Sequence, residues 1–261
     1  MGKRYAARRV LLVLIGTGLL MPVFAAPVSI MVEDQAAPWS DATGKGAAND
    51  LVRQAFAARG IEVQLQVVPY ARCKRAVEVG EVAACFNMSW ESTMSGKVKF
   101  AAEPLFSVIP QFYQNVHKPL RAHHERELAV GVVVGIVNGY EYPASFAQLA
   151  ARGVKFEAAA SELVNFKKLQ FERVDAMVFM GDDLKQAKPL LAQLAHPAEV
   201  VCAFQGKPQG SYIGFSLKHP EGRRLLAEFN RGYSLIRQNG VAKAIMQRWA
   251  GGQAPQNDCP L

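Results

Sequence analysis

From residue 28 onward, apolar positions fall into short runs of strand length that alternate with stretches of helical spacing. Val28–Val32 reads as a buried strand that ends at Glu33-Asp34-Gln35 and the turn Pro38-Trp39-Ser40. Asn49-Asp50 opens a helix with Leu51, Ala55 and Ala58 on its apolar face, and Gly60 closes it. Ile61, Val63, Leu65 and Val67 alternate with polar residues, the pattern of a half-buried strand. A helix over Arg72–Val79 stops at Gly80, and the apolar run Val82–Phe86 follows. That strand leads into Asn87, Met88, Ser89 and Trp90. In open α/β sheets the carboxyl end of a strand is where ligands collect, because loops and helix N-termini bring unpaired donors there. Phe106–Val116 is apolar and extended, with Pro104 and Pro110 limiting helix.

The pattern restarts near Pro119. Ala129–Val137 is almost wholly apolar and β-branched, as expected of a parallel strand covered on both faces. It ends in Asn138-Gly139-Tyr140-Glu141-Tyr142-Pro143, which feeds a helix over Ala144–Arg152. Val154–Phe156, Arg173–Phe179, Glu199–Phe204 and Tyr212–Leu217 read as further strands, and Glu162–Phe171 as a helix. Leu225, Phe229, Tyr233 and Ile236 mark a long amphipathic helix ended by Gly240, and Val241, Ile245 and Trp249 mark a second.

The first 25 residues have a basic start (Lys3, Arg4, Arg8, Arg9), an apolar run from Val10 to Leu20 and small residues after Phe24. This is the pattern of a secretory leader, too short in its apolar core for a membrane span, with a cut expected after Ala25 or Ala26. The expected location is the periplasm. The formal charge of +8 falls to +4 without the four leader cations. That modest excess, with no basic cluster, gives no case for a nucleic-acid partner.

Export exposes Cys73, Cys85, Cys202 and Cys259 to oxidation. Four cysteines allow three pairings. The expected one joins Cys73 to Cys85, helix to following strand, and leaves Cys202 with Cys259; buried free thiols are the alternative. Metal ligation is disfavoured, since no CxxC or paired Cys/His spacing occurs. His117, His123 and His124 sit in the polar run HKPLRAHHERE, which reads as a solvated linker. There is no GxSxG, HExxH or P-loop, so no cofactor and no catalytic residue is expected.

The order of elements resembles the extracellular solute-binding proteins of family 3, those of polar amino-acid uptake systems. The matching pieces are Pro38-Trp39, Gly46 with Asp50-Leu51, Pro69-Tyr70 with Arg72, Gly80-Glu81-Val82, Phe100 with Pro104-Leu105, Val134-Gly135 with Gly139, Arg173-Val174-Asp175-Ala176, Phe215-Ser216 and the Gly240, Ile245, Trp249 ending. The resemblance implies a two-lobed α/β protein of the type II periplasmic binding fold, each lobe a mostly parallel sheet flanked by helices and joined by crossing strands. Lobe 1 is expected at 26–110 and 214–261, and lobe 2 at 111–213. It also implies a monomer that captures a small molecule for an inner-membrane ABC permease. A sensory partner of a membrane receptor and a dehydratase-like enzyme are the alternatives.

In that family an arginine before the Phe…Pro pair grips the ligand carboxylate, and an aspartate after the lobe 2 strand holds its ammonium. Met94 and Met180 stand at those positions, so an ordinary α-amino acid is a poor ligand unless Lys97 or Asp182 substitutes. The expected ligand contacts are Glu33, Trp39, Tyr70, Arg72, Asn87, Ser89, Trp90, Tyr140, Glu141 and Tyr142, a polar and aromatic set suited to planar, neutral or cationic solutes. Each has a structural reading beside it. Trp39 caps the core equally well, Arg72 pairs with an acid such as Glu33, and Asn87 and Ser89 satisfy a turn.

Overall fold

The structure is a computed structural model that describes residues 26–251 together with Gly2 and Cys259. The expected leader and its cleavage point otherwise lie outside the described residues. Strand β1 (Val28–Glu33) is followed by the short arms β2 (Gln35–Ala36) and β3 (Ser40–Asp41), then helix α1 (Ala47–Ala57) and strand β4 (Val63–Val68). Helix α2 (Tyr70–Val79) leads to β5 (Ala84–Met88), β6 (Val98–Phe100) and the long β7 (Phe106–Asn115). Next come β8 (Val133–Val137), α3 (Ser145–Ala151), β9 (Lys155–Ala159), α4 (Glu162–Gln170), β10 (Ala176–Gly181), α5 (Lys188–Leu191) and β11 (Val200–Gln205). Strand β12 (Gln209–Ser216), α6 (Gly222–Gln238) and α7 (Val241–Ala250) complete the order.

Two α/β lobes result. In the first, β4, β1 and β5 run parallel, linked through α1 and α2. Both faces of this sheet are covered. Leu51, Val52 and Phe56 of α1 pack with Phe215 and Phe229 on one side; Cys73 and Val77 of α2 pack with Cys85 and Met94 on the other. In the second lobe β10, β8 and β9 are parallel, with Phe112, Val134 and Val178 in one core and Phe166, Met177 and Phe179 in another. Strands β7 and β12 belong to both lobes. Phe106–Val108 pair with Gln209–Ser211, while the rest of β7 pairs with β10 and β11 and the end of β12 pairs with β5. A hinge of two antiparallel strands therefore joins the lobes, the geometry needed for rotation about a fixed line.

Local signals explain the boundaries. Pro69 precedes α2 and Gly80, at φ 90°, ends it in the left-handed conformation that glycine adopts without penalty. Gly46 adopts φ 154°, and a Cβ there would fall 2.1 Å from the Trp39 carbonyl oxygen, so α1 opens where only glycine fits. Some expectations need correcting. Ala58 is exposed and lies beyond α1, and the buried face is continued by Val52 and Phe56 instead. The strand expected over Ala129–Val137 begins only at Val133, because the chain turns at Gly131 and leaves Val130 in solvent. Strand β5 starts two residues later than its apolar run and takes in Asn87 and Met88. Cys73 is bonded to Cys85 (Cα–Cα 5.7 Å) and Cys202 to Cys259 (Cα–Cα 5.1 Å).

Candidate functional site

The carboxyl ends of β1, β5, β8 and β10 converge between the lobes, and side chains from all four line one cavity. Glu33 ends β1, Asn87 and Ser89 come from the end of β5, Tyr140 and Glu141 follow β8, and Met180 and Lys185 follow the line of β10. The enclosed space is about 40 Å³. That is room for a water or two, so anything larger enters only when the lobes part.

Glu33 is 4 % exposed. Burial pushes its carboxyl up to about 7, against the opposing pull of Lys185 and of the Tyr140 hydroxyl, which donates to it at 3.0 Å. No lysine or arginine among the described residues lies within ion-pair distance of it. Asn87 sits beside it at φ 65°, in a bulge where Tyr212 pairs with Met88 and Ile213 with Phe86. Its amide favours the Glu33 carboxylate by proximity, yet neither amide atom makes a hydrogen bond of normal geometry. The cavity thus holds a carboxylate and an amide with unused capacity.

Glu141, also 4 % exposed, is fully engaged. The Tyr70 hydroxyl lies 2.7 and 2.6 Å from its two oxygens, the Ser89 N–H donates at 3.0 Å, and Lys74 Nζ lies 3.2 Å away. Burial again raises its carboxyl to about 7, and the same three partners pull the other way. Lys74 also pairs with Glu91 at 2.8 Å and donates to the Gly139 carbonyl at 3.2 Å.

Two further acids complete the polar set. Glu162, opening α4, pairs with the buried Lys185 at 2.8 Å and accepts the Met180 N–H at 3.1 Å. Asp182 accepts the N–H groups of Leu184 at 2.7 Å and Lys185 at 2.8 Å, which fixes the turn, and also the Trp39 indole N–H at 2.6 Å. Burial raises the Asp182 carboxyl in spite of these donors. Glu33–Tyr140, Tyr70–Glu141 and Trp39–Asp182 each link one lobe to the other.

Of the residues singled out in the sequence, the structure brings together Glu33, Trp39, Asn87, Ser89, Tyr140 and Glu141 around the cavity. Tyr70 touches it through Glu141. Trp39 serves the core as well, stacked on Phe106 at 3.7 Å. Three lie elsewhere. Arg72 is exposed on α2, Trp90 is 63 % exposed, and Tyr142 accepts the Val137 N–H at 2.9 Å and stacks on Phe146 within lobe 2. The pairing of Arg72 with Glu33 is not formed; Tyr140 takes that place. Met94 is fully buried under α2, and Lys97 points to Glu78 at 3.8 Å, so neither reaches the cavity. Sequence reading missed Lys74 and Lys185. Lys74 had a signal, standing one turn after Tyr70 and so on the same helix face. Lys185 lay in a stretch with no hydrophobic period to place it.

No protein-family model matches this chain, and no curated protein matches it. Solved structures do. A histidine kinase sensor domain with similarity to periplasmic binding proteins aligns with TM-score 0.72 at 18 % identity, over 88 % of this chain and 98 % of that one. A periplasmic binding protein of an arginine transport system from Legionella pneumophila gives 0.69 at 14 %, over 86 % and 100 %. An ancestral arginine-binding protein bound to arginine gives 0.68 at 20 %, over 85 % and 97 %. The fold is therefore the two-lobed periplasmic binding fold.

Proposed function

We propose that this protein is a periplasmic solute receptor which closes its two lobes over a small polar, aromatic or cationic molecule, with a cationic group facing Glu33. The carrying observation is the Glu33 carboxylate, buried at the cavity wall with a tyrosine hydroxyl but no cation bonded to it. An ammonium or amidinium placed there would supply the missing partner, and the Asn87 amide beside Glu33 would take a second polar group. Lys185, which would otherwise repel a cation, is held by Glu162. Handing the solute to an inner-membrane ABC permease is the role that the leader and the fold together favour. A sensory role is the second reading, favoured by the likeness to a kinase sensor domain. The cavity also offers two carboxyl groups raised to about 7, as an acid/base enzyme would need, yet both are already held by hydrogen bonds, Glu33 by Tyr140 and Glu141 by Tyr70 and Ser89.

Calorimetry with a panel of amines, amino acids and aromatic solutes tests the reading on wild type and Glu33→Gln. The expected result is an amine or amidine that binds the wild type and is weakened at least tenfold by the substitution. Equal binding of one solute to both proteins would remove Glu33 as the anchor.

A further inference from the structure

We propose that the first lobe carries a carboxylate-binding subsite, built from the Tyr70 hydroxyl, the Ser89 amide and the Lys74 ammonium, and that Glu141 is its tethered occupant. The proposal rests on reading the cleft as a solute site. It changes the role of Glu141 from a contact with the solute to a stand-in for one of its groups.

The geometry carries it. All three donors belong to lobe 1, on α2 and just after β5, whereas the acceptor comes alone from lobe 2. Both carboxylate oxygens are served, Oε1 by Tyr70 and Lys74 and Oε2 by Tyr70 and Ser89. The donors do not need Glu141 to hold their places. The Cys73–Cys85 bond ties α2 to β5 between them, Lys74 has its own partner in Glu91, and Tyr70 is buried in the lobe 1 core with Met31 and Cys85. When the lobes part, Glu141 leaves with lobe 2, and a preformed cluster of one charged and two neutral donors faces the cleft. Such a cluster fits a planar carboxylate.

A tethered group competes at an effective concentration on the order of millimolar or above. Glu141 therefore returns to the subsite ahead of a free carboxylate each time the lobes close. The consequence is specificity. The wild-type cleft accepts solutes with a cationic or neutral head and rejects those that must also place a carboxylate against lobe 1. A variant lacking the Glu141 side chain accepts them.

Glu141→Ala lacks a CH2COO− group, which acetate supplies. The thermal midpoint of this full-length variant is followed in sodium acetate against sodium chloride of equal ionic strength. Acetate is expected to raise it by about 3 °C at saturation, and to leave the wild type unmoved. Glu141→Gln, whose amide fills the same space, is expected not to respond. Adding Tyr70→Phe to Glu141→Ala should abolish the response, which a merely structural role of Glu141 would not do. A Glu141→Ala that folds cooperatively only with acetate supports the subsite as well. Equal midpoints in acetate and chloride, or failure to fold in both, would overturn it. The amine titration of wild type and Glu33→Gln fails or succeeds independently, so loss of the cation reading and loss of this subsite are separate results.

Discussion

A carboxyl group raised to about 7 in a wall without a bonded cation has opposite effects on binding and on stability, and Glu33 is such a group. Its ordinary value is 4.5. Below that, folded and unfolded chains both hold the proton and nothing is lost. Between 4.5 and about 7 only the unfolded chain ionises, so stability falls as pH rises through this window and levels off above it. At Glu33→Gln this group's share of the window disappears, while that of Glu141 is common to both proteins. The difference in unfolding free energy between variant and wild type should move towards the variant by about 3 kcal/mol from pH 4.5 to pH 8. Urea titrations across that range measure it, and a constant difference would mean that the group ionises in the fold as freely as in water. A cationic solute needs the ionised form, so its affinity should rise through the same window, in which the apo protein weakens. Residue type and position in the sequence already marked Glu33 as a candidate. The absence of a partner was not legible there, since it depends on Arg72 facing solvent and Lys185 being taken by Glu162.

At the level of elements, α2 and β5 form the unit on which the donors stand. Tyr70, Cys73 and Lys74 fall within about one turn of helix, and Cys85 precedes the bulge at Asn87 and the amide of Ser89. The bond across them closes a short loop, with a sequence separation of 12, and chain-entropy arithmetic gives about 3 kcal/mol for it. Cys73→Ser with Cys85→Ser should lower stability by that order and also weaken the acetate response of Glu141→Ala, because α2 is then free to shift against β5. Non-reducing peptide mapping followed by urea unfolding checks both, and unchanged stability after verified removal of the bond would show that packing alone sets the unit. Most helices and strands were legible because α1, α2, α6 and the central strands carry full apolar faces or runs. The hairpin β2–β3, strand β6 and helix α5 were not, being two to four residues long and positioned by their partners and not by any period of their own. The bulge was equally hidden. It is made by the pairing of β5 with β12, more than a hundred residues later in the chain.

For the whole molecule, the two-lobed fold was foreseen through the resemblance to the family-3 solute-binding proteins, carried by short motifs in a matching order, whereas the alternation of strands and helices by itself indicated only an α/β fold. What the sequence did not disclose is how the lobes hold each other. Their closed contact includes apolar packing, with Tyr140 against Tyr70 and Leu184 against the lobe 1 core, and a few polar links, of which the indole N–H of Trp39 on the Asp182 carboxylate is the shortest neutral-to-acid one remote from Glu141. Trp39 also stacks on Phe106 beside the hinge, at 3.7 Å and 7° between planes. Trp39→Phe separates the two roles, because the ring stack survives and the hydrogen bond does not. A hydrogen bond to a charged, buried acceptor contributes roughly 1.5–3 kcal/mol, which is about a ten- to hundredfold change in the balance between closed and open lobes. Asp182 keeps the Leu184 and Lys185 amides, so lobe 2 itself should stay intact. The expected outcome is a larger radius of gyration in solution scattering for Trp39→Phe than for wild type, with a single cooperative thermal transition in both. Because opening frees the Glu33 wall and the cluster around Tyr70 together, the variant should also bind its solute more weakly while admitting it faster. Identical scattering from the two proteins would mean that closure does not depend on this bond, and that the remaining links at Glu33 and Glu141 are sufficient to hold the lobes together.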